Sequence, residues 1–195
     1  MTPEILDSIY QTIDAANALD PNQETLDDGT SIAKELIYGQ RMSNTLAAFK
    51  VDASPELKIA VRAQHLERWK SLRTDYPEGR TGYKQWRAEL GLFHGKRCVE
   101  LIQSHDLDED TLKRIAYLIQ KRQIKRDSET QCLEDVACLV FLEYYLVPFA
   151  TKHSHEKLIN IIQKTWNKMS AEGQQAALKL PLDNAMLALI TEALS

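Results

Sequence analysis

Two histidines, a pair of adjacent carboxylates and a run of arginines are the residues of this chain whose types and spacing could do chemistry. His65 stands near Arg62, Arg68 and Trp69, and His94 shares a helical face with Tyr83, Arg87, Leu90, Arg97 and Cys98. An imidazole can serve as metal ligand, acid or base near neutral pH. Glu134 and Asp135 lie inside QCLEDVACLVFLEYYLVPF, Gln131 to Phe149, a helix-length run that is apolar on every side. On a helix Asp135 shares its stripe with Cys138, Leu139, Leu142 and Leu146, and Glu134 shares its own with Cys138, Phe141 and Tyr145. Carboxylates in that company need a metal, an Arg or a His, because an unpaired buried one costs several kcal/mol or takes up a proton. The structural alternative is an acidic pair near a helix start, favoured by the macrodipole. Two histidines and a carboxylate from separate helices are how bundle metal sites are made, so His65, His94 and Asp135 are the candidate ligands of a divalent ion of unspecified identity. Glu134 and Asp135 are the candidate catalytic carboxylates.

The arginines suggest an anion. Between Arg62 and Arg97 nine Lys/Arg stand against four Asp/Glu, although the whole chain carries a formal charge of −4. Arg62, Arg68, Arg73 and Arg80, with Arg41 from an earlier segment and Trp69 among them, could clamp a phosphate and stack a base. Their structural alternative is a solvated face whose stems cover apolar surface. The acidic total argues against duplex DNA as a partner, since duplex binders are broadly basic. A single-stranded RNA or a tRNA end stays open as a partner.

These residues must be positioned by helices. Strand signals are nearly absent, and helix starts recur: Thr2-Pro3, Ser54-Pro55, Asp108 or Asp110, Ser128 with Gln131, and Asp183. The class expected is all-α, a single domain over 1–195 built as a bundle of about eight or nine helices. The third helix is expected to start at Ser54-Pro55-Glu56, with apolar positions from Leu57 to Trp69 and with Arg62, Arg68, Trp69 and Leu72 on the face of His65. Gly91 and Gly95 bracket His94, so either the fourth helix breaks there or another element packs very closely. Cys98, Cys132 and Cys138 form an unpatterned odd set, expected to be reduced core thiols. No stretch qualifies as a membrane span, and the first residues lack a signal-peptide layout, so no membrane partner and a cytoplasmic location are expected.

The strings YGQRM from Tyr38, RAQHLERW from Arg62 to Trp69, RTDYPEGRTGY from Arg73 to Tyr83, Phe93-His94 and LEDVACLVFLE from Leu133 to Glu143 resemble an uncharacterised conserved-domain family. Members of it are sometimes labelled glutamyl-tRNA synthetase. Lys168-Met169-Ser170 is a fragment of a KMSKS-like string, with no HIGH-type partner, and the chain is too short and too helical for a Rossmann catalytic domain. The order of elements is also similar to HD-domain metal phosphohydrolases. That resemblance implies His65 as the doublet histidine, His94 as an intervening ligand and Asp135 as the final aspartate. Leu66 stands where the doublet Asp belongs, and Gln40-Arg41 where the first His belongs; Glu134 or Glu67 could substitute, or a guanidinium such as Arg41 or Arg68 could take the cation's place beside Asp135. The expectation is an HD-like helical domain that binds a phosphate-bearing, nucleotide-like small molecule and hydrolyses it with a divalent metal. The alternatives are a non-catalytic anion- or RNA-binding module, or an interaction scaffold.

Overall fold

Thr2, Ser54, Asp108, Asp127 and Ser170 each turn a side-chain oxygen onto an amide in the first turn of the helix that follows. Each supplies one of the acceptors that a helix start lacks. The protein is seen in a computed structural model in which residues 1–194 are described. It is mostly helical, with ten α-helices and two short strands among those residues. The chain forms two compact units, Met1–Arg122 and the part from Gln123 onward. No helix is long and apolar enough to cross a membrane.

The first unit holds α1 (Pro3–Asn17), strands β1 (Gln23–Thr25) and β2 (Ser31–Ala33), α2 (Lys34–Phe49), α3 (Pro55–Arg62), α4 (Gly79–Ile102) and α5 (Glu109–Ile119). β1 and β2 pair antiparallel with Glu24 opposite Ile32. Three-residue strands are too short to show alternation, which is why the sequence hides them. Helix α3 packs on α1, α2 and α5, and α4 packs on α5 and α1. Leu57, Ile59, Ala60 and Val61 of α3 are all buried, so α3 is the centre of this unit.

Two glycines set how closely the helices meet. A Cβ on Gly39 would lie 2.9 Å from the Arg62 carbonyl, and one on Gly95 would lie 3.2 Å from the Ala116 carbonyl. Thus α4 runs unbroken past His94, and the glycines admit a neighbour, the second of the two outcomes the sequence allows.

The third helix is shorter than its sequence suggests. It ends at Arg62, and residues 63–67 continue as tight turns closed by Leu66 N–H to the Ala63 carbonyl. The Glu67 amide, which a continuing helix would give to Ala63, instead donates to Asn17 Oδ1 at 2.9 Å. Glu67 is held in the left-handed region at φ 52°. A tertiary bond has overridden a helical pattern.

The second unit holds α6 (Ser128–Val140), a wide π turn (Phe141–Tyr145), α7 (Leu146–Ala150), α8 (His155–Trp166), α9 (Ala171–Ala177) and α10 (Asn184–Leu194). The long apolar run is thus one helix opened near its end. Pro148 has no N–H for the Tyr144 carbonyl, and a π turn just before it absorbs the mismatch. Cys98, Cys132 and Cys138 are buried, each within its own unit.

Glu134 and Asp135 are buried on α6. Asp135 is met neither by an arginine nor by a histidine. Its Oδ1 accepts from the Ser170 amide at 2.7 Å and from Gln131 Nε2 at 3.0 Å, and its Oδ2 accepts from the Ser170 hydroxyl at 2.6 Å. Lys168 stands 3.5 Å from Glu134. The Lys168-Met169-Ser170 string is therefore structural here: it partners the α6 carboxylates and caps α9. Asp135→Ala would leave the half-buried Ser170 amide and hydroxyl without their acceptor, at up to about 1–3 kcal/mol for each. Urea unfolding of this variant should show a loss of about 2–4 kcal/mol, whereas a loss under about 0.5 kcal/mol would mean the bonds contribute nothing.

Candidate functional site

Helix α2 places Glu35 at the head of a buried stripe with Gly39, Met42 and Leu46. Its spacing of 35, 39, 42 and 46 is that of one helix face, and a carboxylate leading it was the signal that sequence reading missed. Glu35 is 6% exposed, and its Oε2 lies 3.2 Å from His65 Nδ1. On the other side of the ring, Arg68 Nη1 lies 3.0 Å from His65 Nε2. A guanidinium only donates, so Nε2 must accept and the ring proton sits on Nδ1, donated to Glu35. Arg68, His65 and Glu35 thus form one directed chain. Tyr38 stacks on His65 with ring centroids 3.9 Å apart, an approach that Gly39 permits by letting α3 close on α2.

His94 adjoins this chain. Its ring centroid is 6.2 Å from that of His65, and it is 1% exposed. His94 Nδ1 lies 2.7 Å from the Leu66 carbonyl, which can only accept, so the proton is on Nδ1 and Nε2 carries a lone pair. That Nε2 is buried and has no hydrogen-bond partner.

Two devices hold the turn between the histidines. Asn17, at the end of α1, accepts from the Glu67 amide and donates Nδ2 to the Glu35 carbonyl at 3.3 Å. The Glu67 carboxylate pairs with Arg97 Nε at 2.8 Å and Lys70 Nζ at 2.8 Å. Arg68 also lies over the Trp86 ring, 5.1 Å from its centroid, and Trp86 donates Nε1 to the Ser71 carbonyl at 3.2 Å.

The remaining residues singled out in the sequence stand elsewhere. Arg62 donates to both oxygens of Asp14 and covers Tyr10; Arg41 pairs with Glu24 at 2.5 Å. Arg73 donates to the carbonyls of Tyr76, Pro77 and Gly79 and so holds its own loop. Arg80 is exposed and Trp69 half-buried. Of the six residues expected to bind ligand, Arg68 alone is bonded to a histidine here. Within the second unit, both oxygens of Asp135 are already used as acceptors. Among the described residues no three His, Cys, Asp or Glu side chains come together as a metal-binding group.

A domain of unknown function, DUF4202, matches residues 7–190. The chain belongs to this family. No curated protein and no solved structure matches it.

Burial governs the protons of this DUF4202 site. It pushes Glu35 up to about 7, against the pull of Arg68 and Lys34. It pushes His94 down to about 3, with the neighbouring His65 adding to the effect. Burial, then Arg68, Arg87, Lys121 and Lys34, holds the His65 ring neutral well below its usual range. Between the ordinary value of 4.5 and about 7, the unfolded chain has lost the Glu35 proton while the folded chain keeps it, so this group makes stability fall as pH rises. The histidines act oppositely, since unfolded rings take protons below 6.5 that the folded rings refuse. Glu35→Gln removes only the first effect. Relative to the parent it should gain up to about 3 kcal/mol as pH rises from 4.5 to about 7, then level off. Urea unfolding across that range checks this, and a pH-independent difference would mean Glu35 ionises as it does in water.

Proposed function

We propose that this DUF4202 chain binds a phosphate-bearing small molecule at the Glu35–His65–Arg68–His94 cluster. The observation that carries the reading is the Arg68 guanidinium held 3.0 Å from Nε2 of His65. Four cations, Arg68, Arg87, Lys121 and Lys34, act on this ring, and Glu35 is the carboxylate bonded to it. The His65 side chain keeps about 20% of its surface exposed, so this edge of the cluster is open to solvent. Grouped cations attract a small anion. Phosphate suits the site because a guanidinium offers it two parallel N–H donors.

The cluster also has what proton transfer needs. Glu35 is held near 7, where a carboxyl can give or take a proton at neutral pH. His94 Nε2, an acceptor without a partner, suits a water or a ligand hydroxyl. Hydrolysis of the bound phosphate ester is the reaction class these groups would serve, in a fold of HD-like layout.

Single-stranded RNA is less well served. Trp86 is buried and Trp69 half-buried, and of the aromatic residues between Arg62 and Arg97 it is Tyr83 that stands 50% exposed. Base stacking needs more open rings than that.

Thermal unfolding with orthophosphate, pyrophosphate, a nucleoside monophosphate and a nucleoside triphosphate tests the reading. A ligand at ten times its Kd stabilises the folded state by about 1.4 kcal/mol, a shift of several degrees. The shift is expected with at least one phosphate compound and is expected to vanish in Arg68→Gln. No shift with any of the four, or an equal shift in Arg68→Gln, would sink it.

A further inference from the structure

His65 Nε2 is the ring nitrogen a divalent ion would have to coordinate, since Nδ1 is engaged with Glu35. That lone pair is taken. Arg68 Nη1 donates to it at 3.0 Å, and a guanidinium stays charged in proteins and brings no lone pair of its own.

Arg68 is built into this position. Its stem follows the left-handed turn at Glu67, whose amide is fixed by Asn17 and whose buried carboxylate is fixed by Arg97 and Lys70. Its guanidinium lies over Trp86, itself anchored to Ser71. A left-handed non-glycine residue is strained and persists only where surrounding bonds impose it. Here they impose a conformation that turns Arg68 back towards His65, two residues before the strained one. His94 Nε2 is then the imidazole lone pair left over, and a single such donor does not make a divalent-metal site.

We propose that Arg68 stands where a metal ion would otherwise stand, so that the site binds the phosphoryl group of its ligand through a fixed guanidinium and without any divalent cation. The inference rests on the phosphate-binding reading above and specifies it. One N–H of Arg68 is used on His65, and the rest of the guanidinium edge meets the phosphoryl oxygens bidentately. His94 Nε2 accepts from a hydroxyl of the ligand or from the water beside it. Lysine cannot replace this group, because one ammonium point charge cannot hold His65 and fork a phosphate together.

Calorimetric titration of orthophosphate into the full chain, in EDTA and again with excess Mg2+ or Mn2+, is the test. The expected result is the same affinity in all three buffers, with at least a tenfold loss in both Arg68→Gln and Arg68→Lys. Their circular dichroism and urea midpoints establish that these variants are folded. Binding that appears only when the metal is present would overturn the metal-free site and leave the phosphate-binding reading intact. No binding of orthophosphate in any buffer would overturn the proposal, and with no thermal shift from any of the four phosphate compounds the phosphate-binding reading would fall as well. A second readout needs no ligand: nitrogen-15 spectra of the histidine rings should show His65 neutral with its proton on Nδ1, unmoved by Zn2+. Zn2+-induced shifts at Nε2 of both His65 and His94 would overturn the proposal.

Discussion

The side chain of Asn17 is the joint on which the first unit turns. One amide group, buried at the end of α1, ties the carbonyl of Glu35 at the start of α2 and the amide of Glu67 just beyond α3. The Glu67 amide lies outside any helix ladder and would be costly to leave unpaired away from water, and the Glu35 carbonyl, within the ladder of α2, gives its second lone pair to Asn17. Asn carries both a donor and an acceptor on one short stem, so it can satisfy both at once. The consequence is positional. Glu35 and the turn that carries His65 and Arg68 are set against each other by the same residue, and the polar chain across His65 follows from that.

The strain at Glu67 has a plain cause in this geometry. An α3 continuing through Trp69 would give the Glu67 amide to Ala63, and Asn17 would lose its partner. Ending the helix at Arg62 instead needs tight turns and one left-handed residue. The ion pairs of Glu67 with Arg97 and Lys70 join that residue to α4 on one side and to the next turn on the other. Trp86, also on α4, supports Arg68 from beneath. Helix α4 thus supplies His94, the brace for Glu67 and the floor under Arg68, which explains why it must run unbroken past two glycines.

Much of this was legible in the sequence, and the gaps have physical causes. Caps such as Thr2, Ser54 and Asp108 mark helix starts because their bonds are local, three residues away. The ion pairs that remove Arg41 and Arg62 from the site are made with Glu24 and Asp14, 17 and 48 residues away, and nothing in a local pattern announces them. His65, Arg68 and His94 stood out by residue type. Glu35 did not, because one acid in the first turn of a helix looks like an ordinary partner for the helix dipole. Its stripe, with Gly39, Met42 and Leu46, was the clue that it points inward.

Asp135 and Glu35 then show why burial alone does not make a carboxylate reactive. Both are buried on helices, and both looked or could have looked like site residues from sequence. Asp135 accepts three hydrogen bonds between 2.6 and 3.0 Å from groups fixed by the start of α9 and by its own helix. Those donors replace water around it, so it ties the start of α9 to α6. The Glu35 carboxylate is hydrogen-bonded at 3.2 Å to a neutral ring, and desolvation outweighs the cations around it. Its charge is under-supported, and that shortfall is what keeps its proton exchangeable near neutral pH. His94 repeats the pattern, with one nitrogen satisfied by Leu66 and the other left without a partner. Two incompletely satisfied polar side chains, Glu35 and His94, thus stand beside His65 in the first unit, and the proposed site is built on them.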